Sequence, residues 1–273
     1  MQMSSLKHSI RDTLVFLFSV SGIARWYRYQ KRRQGTLTRI VVFHDVPDMV
    51  WFESMIQTLV KQFHIITPEE FQMGKQSPTM INVLITFDDG YASWQNVAIP
   101  ILEKYHLKAL FFVNSGLVER AHNETDSATF MRDALRITPR PALTLQGLHV
   151  LKDAGHTIGG HSRNHADLTK LSPQELCSEI EEDKCALEKI LGVSVTEFAY
   201  PFGMSYHVNE SVISAVQFAG YTSAYTAISR FAQGSQTFCT PRMCIEDNLT
   251  PRMLTIWING AYDVFAYIKE RCL

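Results

Sequence analysis

The chain of 273 residues holds five cysteines, Cys177, Cys185, Cys239, Cys244 and Cys272, with no Cys-x-x-Cys pair. An odd count without a Cys-x-x-Cys pair does not look like a disulfide framework, and free thiols favour a reducing compartment. Charge is equally unassertive: 26 Lys and Arg against 27 Asp and Glu give a net charge of -1. No positive excess exists to bind nucleic acid or another polyanion. No internal repeat or low-complexity tract interrupts the chain. The apolar stretch Leu14 to Ala24 is well short of the roughly 20 residues that a membrane-spanning helix needs. What is left is a chain long enough for one large α/β domain with a substantial core.

Two short segments carry chemistry. Leu84-Ile85-Thr86-Phe87-Asp88-Asp89-Gly90 is an apolar run ending in two carboxylates and a glycine. It reads as a buried strand delivering two acids at its C-terminal tip. Gly159-Gly160-His161-Ser162-Arg163-Asn164-His165 places two imidazoles four apart after a second strand-like run. Alone, Asp-Asp-Gly can be a mere turn and paired histidines a surface feature. Together they supply one carboxylate and two imidazoles for a divalent cation, with the other carboxylate available as a base, a set suited to metal-assisted hydrolysis.

Thr86-Phe87-Asp88-Asp89-Gly90 and His161-Ser162-x-x-His165 resemble the first two motifs of the polysaccharide deacetylase, or NodB-homology, family. Phe198-Ala199-Tyr200-Pro201-Phe202-Gly203 approximates a third. The resemblance runs from about Ile40 to about Tyr225, and more loosely to the C-terminus. It implies that Asp89, His161 and His165 bind the metal, that Asp88 is the general base, and that the Phe202 backbone N–H holds the oxyanion. The implied substrate is an N-acetylated hexosamine, released as free amine and acetate. Zinc is the default metal, with cobalt, nickel, iron or manganese as alternatives.

Two departures from the family pattern stand out. Ala199 occupies a place where many members have arginine, so the ion pair orienting the base is expected to be missing. No histidine follows His207, so the usual C-terminal general acid has no occupant. His44, at the end of Arg39-Ile40-Val41-Val42-Phe43-His44, is the compensating candidate, and His207 is a weaker one. Tyr200, Pro201 and Tyr91 are candidates for contact with the sugar.

Strand-like runs near 40–44, 82–87, 109–113, 156–160, 195–200, 221–226 and 237–245 alternate with helical stretches at 96–105, 144–154 and 172–191. Alternation argues for a parallel sheet, and the resemblance sharpens that to a distorted, incomplete (β/α) barrel with its site at the C-terminal rim of the strands. Residues 119–141 show no strong periodicity and read as a long rim loop or small excursion, a candidate to line the substrate groove. The acidic run Glu179 to Asp183 reads as a solvated helix face.

The expected organisation is an N-terminal segment, 1–38, before a catalytic domain, 39–273. Within residues 14–33 a short apolar stretch precedes Arg25, Arg28, Lys31, Arg32 and Arg33, interleaved with Trp26, Tyr27 and Tyr29. This pattern predicts a helix lying on an anionic membrane surface at the cytoplasmic face. A secretory signal built on Lys7, Arg11 and Ser19-Val20-Ser21, or a helix simply packed on the barrel, are the alternatives. The functional expectation is a metal-dependent N-deacetylase of a cell-surface polysaccharide, an exopolysaccharide or its lipid-linked precursor. The rivals are a catalytically silent sugar- or metal-binding barrel and, at greater distance, a non-haem iron enzyme.

Overall fold

The computed structural model describes residues 2–233 and 237–272, with side chains described between residues 9 and 266 of that span. Among the described residues there are eight strands: β1 Leu37–Phe43, β2 His64–Ile65, β3 Ile81–Phe87, β4 Leu110–Val113, β5 Thr157–Gly160, β6 Glu197–Ala199, β7 Ser223–Tyr225 and β8 Met243–Cys244. The helices before β3 are α1 Gln2–Val20, α2 Ile23–Arg32, α3 Met49–Gln62 and α4 Pro68–Gln72. Between β3 and β6 lie α5 Ile99–Lys104, α6 Ser115–Arg120, α7 Glu124–Phe130, α8 Leu145–Asp153 and α9 Pro173–Leu191. α10 Glu210–Phe218, α11 Pro251–Ile258 and α12 Ala261–Cys272 complete the set.

The strands form one parallel sheet in the order β7-β6-β5-β4-β3-β1-β8, with β2 also paired to β3. β2 takes the N-terminal half of that β3 edge, at Asn82 and Val83, and β4 takes the C-terminal half, at Thr86 and Phe87. The curl is completed by a single parallel bridge between Tyr225 and Thr240 rather than a continuous ladder, which leaves an incomplete barrel. All seven residues of β1 and of β3 are buried, as expected for parallel strands covered on both faces.

Strand parity divides the core. Ile40, Leu84, Leu110 and Phe112 point into the barrel with Ala199 and Tyr225, whereas Val41, Phe43, Ile85 and Phe111 pack outward among the helices. β1 and β3 pair in register from Leu37–Ile81 to Phe43–Phe87, so their C-terminal tips are level and His44 stands beside Asp88.

Two expectations are modified, and one strand was not foreseen. Residues 119–141 are largely helical rather than loop: the end of α6 is followed by α7, capped by Asn123, and a π-turn at Met131–Leu135. Each piece is too short to show amphipathic periodicity. The expected helix at 96–105 is a π-turn, Trp94–Ala98, running into α5. Pro100 brings no N–H to the ladder, which accommodates the wider turn. β2 has only two residues and carried no sequence signal.

α1 and α2 lie against the C-terminal helices. Val15 and Ala24 are buried, the Tyr27 ring is 6.1 Å from that of Phe231, and Arg28 donates to the Asn259 carbonyl at 2.9 Å. No helix among the described residues is long and apolar enough to cross a membrane. The Lys7 and Cys272 side chains fall outside the described ones. The other four cysteines are free thiols.

Candidate active site

The site is assembled at the strand tips, and the backbone there is strained. Asp89, Ser162, His165 and Phe202 all have positive φ, between 52° and 86°, although none is glycine. Such conformations persist only where the surroundings enforce them, and they concentrate at functional sites. At the end of β3, parity sends Asp88 into the barrel mouth, in line with Leu84 and Thr86. The positive φ at Asp89, 86°, turns that residue's own carboxylate towards the histidines.

Asp89, His161 and His165 are buried, and their donor atoms all lie within 4.8 Å of one another. Asp89 Oδ1 is 3.5 Å from His161 Nε2 and 3.7 Å from His165 Nε2. Bonds of about 2.0–2.1 Å to a tetrahedral cation would put such donors about 3.3 Å apart, so the set fits a divalent metal with little movement. The His161 tautomer is fixed: Nδ1 is 2.7 Å from the Ala199 carbonyl, which can only accept, so Nε2 presents its lone pair. Burial holds the His165 imidazole at about 4, so it is neutral and ready as a ligand at neutral pH. Burial opposes charge on His161 too, but the Asp88 and Asp89 carboxylates outweigh it and raise its pKa. The second Asp89 oxygen accepts from the Tyr91 hydroxyl at 2.9 Å, which fixes the carboxylate.

Asp88 is clamped by an arginine that the sequence did not reveal. Arg242 Nη1 and Nη2 donate to the two Asp88 oxygens at 2.6 and 2.7 Å, and Nε donates to the Thr226 carbonyl at 3.0 Å. The guanidinium is fully buried, 4.8 Å from the Phe112 ring centroid. Burial alone would raise the Asp88 pKa; Arg242, with His161, lowers it and keeps Asp88 a carboxylate. The ion pair expected to be missing because of Ala199 is therefore present, supplied from the edge of the sheet just before β8, two strands from β3. A cation abutting the apolar run Met243-Cys244-Ile245 was its only local signal.

The acidic run of α9 also differs from expectation. Leu176, Ile180, Asp183 and Leu187 share the buried face at helical spacing, so Asp183 points inward rather than to solvent. Its oxygens accept the backbone N–H groups of Ser115 at 2.9 Å and His161 at 3.1 Å, tying β4 and β5 together at the site. Burial pushes its pKa up to about 7. Glu179 accepts from the backbone and side chain of Asn164 at 3.0 and 2.9 Å, securing the loop between the two histidines. Gly159 and Gly160 are dictated by crowding: a Cβ on Gly159 would lie 2.6 Å from the Phe112 ring, and one on Gly160 would meet Asp183 Oδ2 at 2.7 Å and the Tyr221 hydroxyl.

These groups line a cleft of about 510 Å³ with His44, Asp45, Trp51, Tyr200, Phe202, Arg140 and Asp247 among its walls. The rim element at 131–140 supplies Leu135, Ile137, Thr138 and Arg140. The Phe202 ring packs 4.6 Å from His165, and its backbone N–H finds no acceptor among the described residues. Gly203, φ 60°, lets this turn approach Ala227, whose N would be 2.5 Å from an added Cβ. His44 lines the cleft. His207 does not; it stands behind Phe202, ring centroids 5.1 Å apart, with Asp167 at 4.0 Å. Tyr200 and Tyr91 also face the cleft, but both are buried, and their hydroxyls are engaged by the Phe238 carbonyl and Asp89. Pro201 is buried and contributes no wall.

The family model for polysaccharide deacetylase matches residues 75–224, which contain the Asp88-Asp89 and His161/His165 segments and the Pro-Phe-Gly turn. The chain belongs to the polysaccharide deacetylase family. It is 27% identical over 167 residues to the Bacillus subtilis protein YxkH, covering 60% of this chain and 52% of that one. A poly-beta-1,6-N-acetyl-D-glucosamine N-deacetylase of Staphylococcus aureus is 24% identical over 213 residues, covering 76% and 70%. Among solved structures, the Streptococcus pyogenes deacetylase PplD superposes with a TM-score of 0.67 at 25% identity, over 82% of this chain and 99% of that one. The chain thus spans about half the length of YxkH but nearly all of PplD aligns with it. The incomplete (β/α) barrel is the fold of this family.

Proposed function

We propose that this protein is a metal-dependent carbohydrate N-deacetylase acting on N-acetylhexosamine units of a polysaccharide, an exopolysaccharide or its lipid-linked precursor. One observation carries the reading: a buried Asp-His-His donor set lies beside a second carboxylate that is held ionised by a bidentate arginine, all in one open cleft. Family membership and the N-deacetylase activity named for the Staphylococcus aureus relative support it.

Asp89, His161 and His165 would hold the cation, zinc being the default and cobalt, nickel, iron or manganese the alternatives. Bound there, a divalent ion supplies Lewis acidity towards the amide carbonyl and lowers the pKa of water. Asp88 accepts the proton of the attacking water; Arg242 fixes both its oxygens and keeps it ionised. The free Phe202 N–H donates to the oxyanion of the tetrahedral intermediate. His44, on the level strand tip beside Asp88, would give a proton to the departing amine and regain one from Asp88, so that the proton taken from water ends on the amine. Arg242 removes the main argument for a silent barrel, since the base has its orienting partner after all.

The test is acetate release from N-acetylhexosamine oligomers and lipid-linked sugars by metal-stripped protein with zinc or cobalt restored. Asp88→Asn is expected to abolish release while retaining metal, and His161→Ala to lose both. Turnover by Asp88→Asn at the parental rate would refute the mechanism. Metal binding without release from any acetylated sugar would refute the activity.

A further inference from the structure

The outer surface of α1 and α2 is unlike the rest of the molecule. Ile10, Leu14 and Leu17 recur at i, i+4 and i+7 on the solvent side of α1, opposite the buried Val15. Past the turn at Ser21-Gly22, Ile23, Trp26 and Tyr29 continue along α2, with Trp26 63% and Tyr29 61% exposed. A run of large apolar residues exposed in this way marks an interaction surface. Its charge identifies the partner. From Thr13 to His44 the sequence contains no acid, and Arg25, Lys31, Arg32 and Arg33 all lie on α2 or at its end. Arg25 and Arg33 make no ion pair among the described residues, and Lys31 reaches only Gln34, at 3.3 Å, and the face of Tyr27. Arg32 is spent on the carbonyls of Pro78 and Thr79.

We propose that the α1–α2 pair docks this protein on an anionic lipid bilayer. Ile10, Leu14, Leu17, Ile23 and Trp26 enter the interface, with Tyr29 at its edge, while Arg25, Lys31 and Arg33 meet lipid phosphates. The indole and phenol are the side chains that suit the headgroup region, apolar in body and polar at the tip. A second copy of the chain is a poor occupant: a two-fold contact through this face would bring the same unpaired cations against each other. The opposite face of the pair is already committed to the protein. Val15 and Ala24 are buried, Arg28 donates to Asn259, and Arg11 pairs with Glu246, the residue between the cleft-lining Ile245 and Asp247. Docking would therefore hold the β8 rim of the cleft close to the membrane plane. The proposal does not rest on the deacetylase reading.

The experiment uses the full chain with phosphatidylcholine vesicles, with and without phosphatidylglycerol, followed by co-sedimentation and tryptophan emission. Trp94 and Trp257 are fully buried and the Trp51 indole donates to the Leu249 carbonyl, so a change in emission reports Trp26. The expected result is binding that requires phosphatidylglycerol, a blue-shifted emission, and weakening with added salt. Arg25→Gln with Arg33→Gln should weaken binding roughly 25-fold, about fivefold per cation, and Leu17→Ser with Trp26→Ser should abolish it. Far-UV circular dichroism and the urea midpoint should stay at the parental values in both variants, which separates loss of docking from loss of fold. Three results would overturn the proposal: no sedimentation with anionic vesicles, equal binding to neutral vesicles, or self-association that Leu17→Ser with Trp26→Ser removes.

Discussion

The Asp88–Arg242 pair offers the sharpest quantitative test. Both groups are almost fully withdrawn from water, and two hydrogen bonds of 2.6 and 2.7 Å join them. With charge centres roughly 4 Å apart, their attraction is about 4 kcal/mol at an effective dielectric constant of about 20. Arg242→Met leaves Asp88 as a buried carboxylate without its main partner, and Asp88→Asn leaves the guanidinium in the same position. Each single change should destabilise the fold by about 3–5 kcal/mol. The double variant removes both charges together, so its loss should be well below the sum of the two singles, with a coupling on the order of 3 kcal/mol. Urea denaturation of the four proteins, metal-stripped to isolate the pair, measures that coupling. Additive losses, with coupling below about 1 kcal/mol, would show that the clamp does not carry the energetic role assigned to it. The kinetic counterpart is independent. Arg242→Met should reduce acetate release by up to about 10²–10⁴-fold, the usual contribution of a positioned base, while metal still binds.

Three further outcomes follow from particular contacts. Tyr91→Phe leaves one oxygen of Asp89 without its donor and should weaken metal affinity about 10–100-fold, measured by metal titration calorimetry. Gly160→Ala would drive a methyl group against Asp183 and Tyr221, at a cost of about 1–3 kcal/mol, with a parallel loss of metal affinity because Asp183 anchors the His161 backbone; a parental urea midpoint would contradict the crowding. Burial, with Lys108 nearby, depresses His156 to about 4. Between about 6.5 and about 4 the unfolded chain binds this proton and the folded protein does not, so stability is complete above that window and falls by about 3 kcal/mol as pH drops through it. His156→Asn should flatten this part of the stability–pH curve, and an unchanged slope would assign the dependence to other groups.

Much of the site was legible because its parts are local. The Thr86–Gly90 and His161–His165 segments each present their groups within a few residues, and strand periodicity places both at strand ends. The misread parts are those where a residue acts on something distant in sequence. Arg242 reaches Asp88 across 154 positions, and Asp183 reaches His161 across 22 from the middle of a helix whose acidic run looked solvated. The rim at 119–141 looked irregular because its helical pieces are a turn or two long. Tyr200 and Tyr91 line the cleft, and only the fold shows that their hydroxyls are turned onto the Phe238 carbonyl and Asp89.

The sequence by itself determined the alternation of strand and helix, the carboxylate and imidazole groups that could hold a metal and their strand-end positions, because the period of apolar residues and the chemistry of a short motif are properties of neighbours along the chain. Only the tertiary structure decided which carboxylate is held by which cation, which acidic residue turns inward and which faces of α1 and α2 stay uncovered. Those depend on the curl of the sheet and the packing of helices around it, which bring together groups that no local pattern connects.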